Sequence, residues 1–203
     1  MEQLLTGLGL STAAGLNAYI PMLMLGLLAR FTDVVTLPQG WSWLENGWVL
    51  TIVAVLLAVE VIADKVPALD SVNDTVQTFV RPAAGGIVFG SGTAAQTAAV
   101  ADPGQWASSG GWIPVAIGAV IALVVSLTKT AVRPVANVTT AGVAAPVLST
   151  VEDVVSFSLV FIALLIPVLV LVVLAALVWA GWRLWRRIRK GRRAAPPTQN
   201  PRW

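Results

Sequence analysis

The chain has 203 residues, of which 57% are hydrophobic and 11% charged, and its mean hydropathy is +0.81. Soluble domains carry about a quarter charged residues, so one packed core cannot hide this much apolar side chain and lipid must solvate most of it, which excludes disordered, disulfide-rich secreted and ordinary cytosolic proteins. With no Cys and no His, thiolate nucleophiles, imidazole bases and cysteine or histidine metal sites are excluded as well, and no cofactor is expected.

The net charge of +3 is unevenly placed. Eight of the thirteen basic residues follow residue 182, which leaves a body of net −5 and a basic tail. The expected division is an integral membrane helical domain over 1–182 and a cytoplasmic tail over 183–203.

Leu4–Ala29 reads as the first transmembrane helix, and Glu2 replaces the basic N-terminal region of a signal peptide. It contains Gly15-Leu16-Asn17-Ala18-Tyr19-Ile20-Pro21. Pro21 removes a backbone donor, so the reading is a helix kinked or broken in mid-span, with Asn17 at a depth where an amide needs a partner. The freed groups then face either a ligand path or a neighbouring helix. Gly7, Ser11 and Gly15 are four apart, as are Gly86 and Gly90, a spacing for close helix contact within a chain or between copies of it.

Trp48–Ala63 is the second span. Glu60 and Asp64 lie one turn apart on it, and Arg81, Lys129 and Arg133 are candidate partners. An intramembrane carboxylate is costly and marks a proton or cation site, or else it reaches the headgroups from near the span's end. Next, Leu69, Val72, Val76 and Phe79 recur at helical spacing opposite Asp70, Asn73, Asp74 and Gln77. With Pro67 in a first turn, this predicts an amphipathic helix on the cytoplasmic interface. Pro82–Ala101 follows as a weak span of small residues. Its Gly90-Ser91-Gly92 mimics a dinucleotide loop but follows no strand, so that reading is rejected.

Ile113–Leu127 is a further span. Pro134–Leu148 carries Asn137, Thr139, Thr140 and Gly142, too polar for a lipid-facing helix, so it belongs inside the bundle, lining a path or bonding to its neighbours. Val154–Gly181 is the last and most apolar segment. The tail that follows it suits anionic headgroups rather than nucleic acid, with Trp182, Trp185 and Ile188 three apart.

Counting Pro134–Leu148 as a crossing places Lys65, Arg81, Lys129 and Arg133 inside and Asp33, Glu45, Asp102, Glu152 and Asp153 outside. The expectation is therefore an all-α bundle of about six membrane segments, some broken or re-entrant, with both termini cytoplasmic in a bacterial plasma membrane. Trp41, Trp43, Trp48, Trp106 and Trp112 then mark the outer boundary, and Trp179, Trp182 and Trp185 the inner one. A strong span, an Arg-Pro pair and a small-residue span occur twice, which suggests a duplicated hairpin of the kind found in transporters.

Several stretches, the Gly15–Pro21 run among them, carry a family resemblance. Together with Asp64-Lys65-Val66-Pro67-Ala68-Leu69-Asp70, Phe79-Val80-Arg81-Pro82-Ala83-Ala84-Gly85 and Ser149-Thr150-Val151-Glu152-Asp153, it resembles the domain-of-unknown-function 4126 family of small bacterial integral membrane proteins. The resemblance implies a location and an architecture, and no activity. Family members often have a histidine near Lys129 and another near Thr78. This chain has neither, so histidine chemistry is not essential to the fold.

The leading functional expectation is a transporter or channel for an ion or small solute, with Asn17, Tyr19, Gln96, Asn137, Thr139 and Thr140 along its path. Glu60, Asp64, Lys65, Asp74, Arg81, Lys129, Arg133, Glu152 and Asp153 are its candidate gate or coupling charges. The alternative is a structural or accessory protein that packs in a larger complex or with lipid, and small-residue faces would also suit a homo-oligomer. An enzyme is the third reading, resting on Asp70, Asp74 and Arg81 at the interface.

Overall fold

Several prolines mark where helices begin. In a first helical turn the N–H that proline lacks has no intrahelical partner anyway. Pro67 opens α4 (Pro67–Ala94), as its spacing predicts, and Pro114 and Pro146 are the third residues of α5 (Trp112–Thr139) and α6 (Ala144–Leu165). The other helices are α1 (Glu2–Leu16), α2 (Tyr19–Phe31), α3 (Gly47–Ala63) and α7 (Val168–Arg193). A 3-10 turn, Gln39–Glu45, precedes α3, and two short strands, β1 (Val35–Thr36) and β2 (Gln96–Thr97), pair antiparallel with Val35 opposite Thr97. This computed structural model describes residues 1–98, 111–139 and 144–193, without side chains at 67–71, 132, 134–139, 144, 184–185 and 187–193. It divides into a compact unit, Met1–Val170, and a second one from Leu171 onward. In the second unit Arg183 and Arg186 stack over Trp179 and Trp182, at 4.9 and 4.4 Å.

At the centre of the first unit is α1, buried on almost every side and touching α4, α5 and α6. Its small residues permit this, as their spacing predicts. Gly15 has no room for a Cβ, because one would meet the Ala122 carbonyl at 2.8 Å and Val125 at 2.6 Å. Hydroxyls replace charge along its length: Thr6 Oγ1 donates to the Ala163 carbonyl, and Ser156 Oγ to the Ala13 carbonyl, both at 3.0 Å.

The neighbours of α1 also give its direction. Its N-terminal part, at Thr6 and Gly7, lies against Ala163, Phe89 and Thr93. Its C-terminal end meets Lys129 and Asp153, through Leu16 and Asn17. Arg81 and Thr93 are twelve residues apart on α4, about 18 Å along the helix. The chain therefore enters near the end of the unit where α4 finishes and reaches the opposite, charged end at Asn17. It then comes back: α2 is followed by β1, which pairs with β2 just beyond α4. Thus α1 and α2 form a helical hairpin that enters and leaves at one end, with Asn17-Ala18 at its tip. The reading of Leu4–Ala29 as one continuous span gives way to this hairpin, whose start lies toward the opposite end of the unit from Lys129. Pro21 is no mid-span kink either, since it is the third residue of α2, where its missing N–H costs no bond.

The segment expected to lie on the interface is instead the first half of α4, and its polarity is inverted. Val72, Val76 and Phe79 are exposed, while Asp74, Gln77 and Arg81 are buried. Its polar face is turned into the protein and its apolar face toward the surroundings, as a helix immersed in lipid requires. Farther along, α4 meets α5 across Gly85 and Gly118, each lying against the backbone carbonyl of the other.

Two further expectations change. Pro134–Leu148 is not a unit of its own: α5 continues to Thr139 and α6 begins at Ala144. Val154–Gly181 is broken at Ile166-Pro167 and shared between α6 and α7, because Pro167 disfavours helical geometry at the residue before it. The proposed duplication loses its equivalence, since Arg81-Pro82 lies within the second helix of its pair and Arg133-Pro134 near the end of the first of the other. The first unit is thus a bundle of α-helices. Among the described residues, two stretches are long and apolar enough to cross a membrane, Trp112–Ala131 and Ala145–Leu165; the Gln39–Glu45 turn with α3, bent by 57°, makes a third if it counts as one span.

Two outcomes are expected. In this cysteine-free chain, single cysteines at the exposed Glu2 and Asp33 should react with an impermeant thiol reagent from the same side of the membrane, and one at Lys65 from the other. Gly118→Leu should cost about 1–3 kcal/mol of stability by overpacking the α4–α5 contact, measured by unfolding in detergent, whereas Gly40→Ala, where a Cβ meets nothing within 4 Å, should be near neutral.

Candidate functional site

The break between α1 and α2 leaves backbone groups without helical partners, and the side chains of Asn17 and of Lys129 from α5 take them up. Asn17, extended at φ −141° and ψ 120°, accepts from the Tyr19 and Ile20 N–H groups through Oδ1, at 3.0 and 3.1 Å, and so caps α2. Its Nδ2 donates to Asp153 Oδ1 at 2.9 Å. Lys129 Nζ donates to the Leu16 carbonyl at 2.9 Å, a cation on a helix C-terminus.

From this tip an ion network spreads through α3, α4, α5 and α6. Lys129 pairs with Glu152 at 2.8 Å and with Asp64 at 3.7 Å. Arg133 pairs with Glu152 at 2.6 Å, Asp64 at 3.1 Å and Asp74 at 3.7 Å. Arg81, wholly buried, lies 3.3 Å from Asp74, 3.4 Å from Glu60 and 3.5 Å from Ser126 Oγ. Asp64 also accepts from Asn73 at 2.6 Å and Ser149 at 3.5 Å. Tyr19, on the first turn of α2, faces Gln77, Glu60 and Arg81. Ions taken from water this far survive only when paired and hydrogen-bonded.

The network settles the charge state of its outer members. Burial alone would raise the Asp64 carboxyl, but Lys129, Arg133 and the Asn73 hydrogen bond overcome this and hold it below the usual carboxylate range. Burial alone would lower Arg133, and the Glu152 and Asp64 carboxylates reverse that and raise it.

Most of the predicted charges converge: Glu60, Asp64, Asp74, Arg81, Lys129, Arg133, Glu152 and Asp153 belong to one connected set with Asn17 and Tyr19. The layout that put Glu152 and Asp153 on the far side from Lys129 and Arg133 is corrected, because α6 turns straight back after α5. Lys65 makes no ion pair in the set and stays exposed at its margin, with Nζ on the Val61 carbonyl at 3.3 Å and its charge felt by Asp153. Gln96 lies elsewhere, exposed on β2 beside Asp33 and Thr36 at the opposite end. Thr140 and the side chains of Asn137, Thr139 and Asp70 lie outside the described residues. Gln77, Asn73, Ser126 and Ser149 were missed as participants. Only Gln77 and Asn73 left a signal, as the polar face of an amphipathic segment whose inward direction the periodicity does not give. Among the described residues, no group of three or more His, Cys, Asp or Glu is placed to hold a metal ion.

Removing one partner from a buried network exposes the others to an uncompensated charge. Arg133→Ala should therefore cost about 3–5 kcal/mol, and Lys65→Ala almost nothing, by chemical unfolding in detergent. Because Asp64 is depressed in the folded state, its stabilisation is full above the ordinary carboxylate pKa and is lost as pH falls through its own lower value. Asp64→Asn should flatten that part of the acid limb of the stability–pH curve.

No curated protein and no solved structure matches this chain. The family described as a domain of unknown function, DUF4126, matches residues 4–187, which covers the seven described α-helices but for the ends of α1 and α7. The chain belongs to that family.

Proposed function

We propose that the protein is a small integral membrane transporter or channel for an ion or small solute, with α3 to α6 crossing the bilayer around the re-entrant hairpin α1–α2. The observation that carries this reading is the junction at the hairpin tip, where the Leu16 carbonyl and the Asn17 amide are held by Lys129 and Asp153 of the ion network. Interrupted helix at membrane depth is stable only where protein or a water-filled cavity surrounds it, and ionisable residues there characteristically mark a transport path. The hairpin reaches in from one end and the ion network from the other, so their contact is a plug in a path that is half formed from each side. Lys129 acts as the latch and Asn17 as the tip it secures.

Purified protein in liposomes should move ions or small metabolites above the rate of protein-free vesicles. Lys129→Met, which removes the latch, should change that flux at least several-fold while the protein remains folded. Vesicles that pass nothing above background across a panel of ions, protons and small metabolites would refute the reading.

A further inference from the structure

The network is not electrically balanced. Five carboxylates (Glu60, Asp64, Asp74, Glu152 and Asp153) face three buried cations (Arg81, Lys129 and Arg133), and the exposed Lys65 acts on Asp153 from the margin, so negative charge is in excess when all are ionised. They are unequally served. Glu152 accepts contacts of 2.6 and 2.8 Å, and Asp64 has two cations, an amide and a hydroxyl. Among the described residues Glu60 has a single contact, Oε1 to Arg81 at 3.4 Å, longer than the 2.7–2.9 Å typical of a charge-assisted bond. Its other oxygen, Oε2, is buried with no hydrogen-bond partner, and so are Gln77 Oε1 and Arg81 Nε. All three side chains are 2% exposed or less. Two acceptors and one donor thus go unmet in one neighbourhood, around a carboxylate on a candidate span.

We propose that Glu60, with Gln77, Arg81 and Tyr19 around it, is a proton-binding site within this network. The inference rests on the transport reading above and deepens it, making the coupled ion a proton. A metal ion needs several ligands at once, which the interleaved cations deny here; a proton needs one lone pair. The groups facing Glu60 are Tyr19 from α2, Arg81 and Asp74 from α4, Lys129 from α5 and Asp153 from α6, with Asp64 on its own helix end. Asp74 shares Arg81 with it, and Asp64 and Asp153 add negative charge that favours uptake.

In the binding step one O–H bond of a hydronium ion breaks and its proton bonds to Oε2, leaving water and a neutral carboxyl. Neutral Glu60 no longer holds Arg81 as an ion pair, while Arg81 keeps Asp74 on its own helix. The consequence is a weaker tie between α3 and α4 at this level, with Asn73 and Asp64 still joining them nearer the end.

The test uses the full chain in lipid bilayers and infrared difference spectroscopy between mildly alkaline and mildly acidic pH. A neutral-carboxyl carbonyl band should grow on acidification, shift when the glutamates carry carbon-13, and vanish in Glu60→Gln. Isotope labelling of the wild type keeps the test valid if that variant does not fold, and Glu60→Asp should restore a band that no longer responds to the glutamate label. A band indifferent to glutamate labelling, or one retained in Glu60→Gln, overturns the proposal. Flux in the same vesicles separates the two readings. Transport with neither the band nor any response to a proton gradient refutes the proton site and leaves transport standing. The band without flux upholds the site and removes transport.

Discussion

A backbone or charged group removed from water must find its partner inside the protein, and this constraint organises the whole molecule. Its sharpest expression is the tip of the α1–α2 hairpin. The interruption frees the Leu16 carbonyl and the first N–H groups of α2, and Asn17 and Lys129 answer them. Lys129 is then itself a buried cation, which calls for Glu152 and Asp64. Those carboxylates call for Arg133, and Arg133 for Asp74. The network is a chain of compensations that begins at one break in one helix.

The same constraint explains why the central helix is built from small and hydroxyl-bearing residues. A helix surrounded by three others has no lipid face to fill, so bulk would only force them apart. Glycine and alanine let the backbones approach, and Thr6 and Ser156 satisfy their hydroxyls on carbonyls of the facing helix. On the outside the pattern reverses. Val72, Val76 and Phe79 of α4 are exposed where its charged residues turn inward, so mean hydropathy understates how well this helix suits lipid.

Buried ion networks are weak contributors to stability, since desolvation consumes most of the Coulomb gain. Their retention in a membrane-suited fold calls for another reason. Here that reason is geometric: the network ties four helices to the hairpin tip, and its least satisfied member, Glu60, couples α3 to α4 through a single long contact. A carboxylate with one long contact, beside Asp64, Asp74 and Glu152 that each meet two cations, can rearrange there at small cost.

The membrane character, the helical class, the charged residues and the family resemblance were legible in the sequence by itself, because each depends on composition or on short runs of residues. Pro67 as a helix start and Gly15 as a close-packing position were legible for the same reason, since a missing N–H or a missing Cβ acts locally. The direction of the chain was not. The Asn17 region signals a break equally well whether the chain continues across or turns back, and only Thr6 on Ala163 and β1 on β2 distinguish the two. Likewise, an amphipathic period gives two faces but not which one meets lipid, so Gln77 and Asn73 emerged as partners only in the folded structure. Orientation and pairing are decided by contacts far apart in sequence, and those belong to the tertiary structure alone.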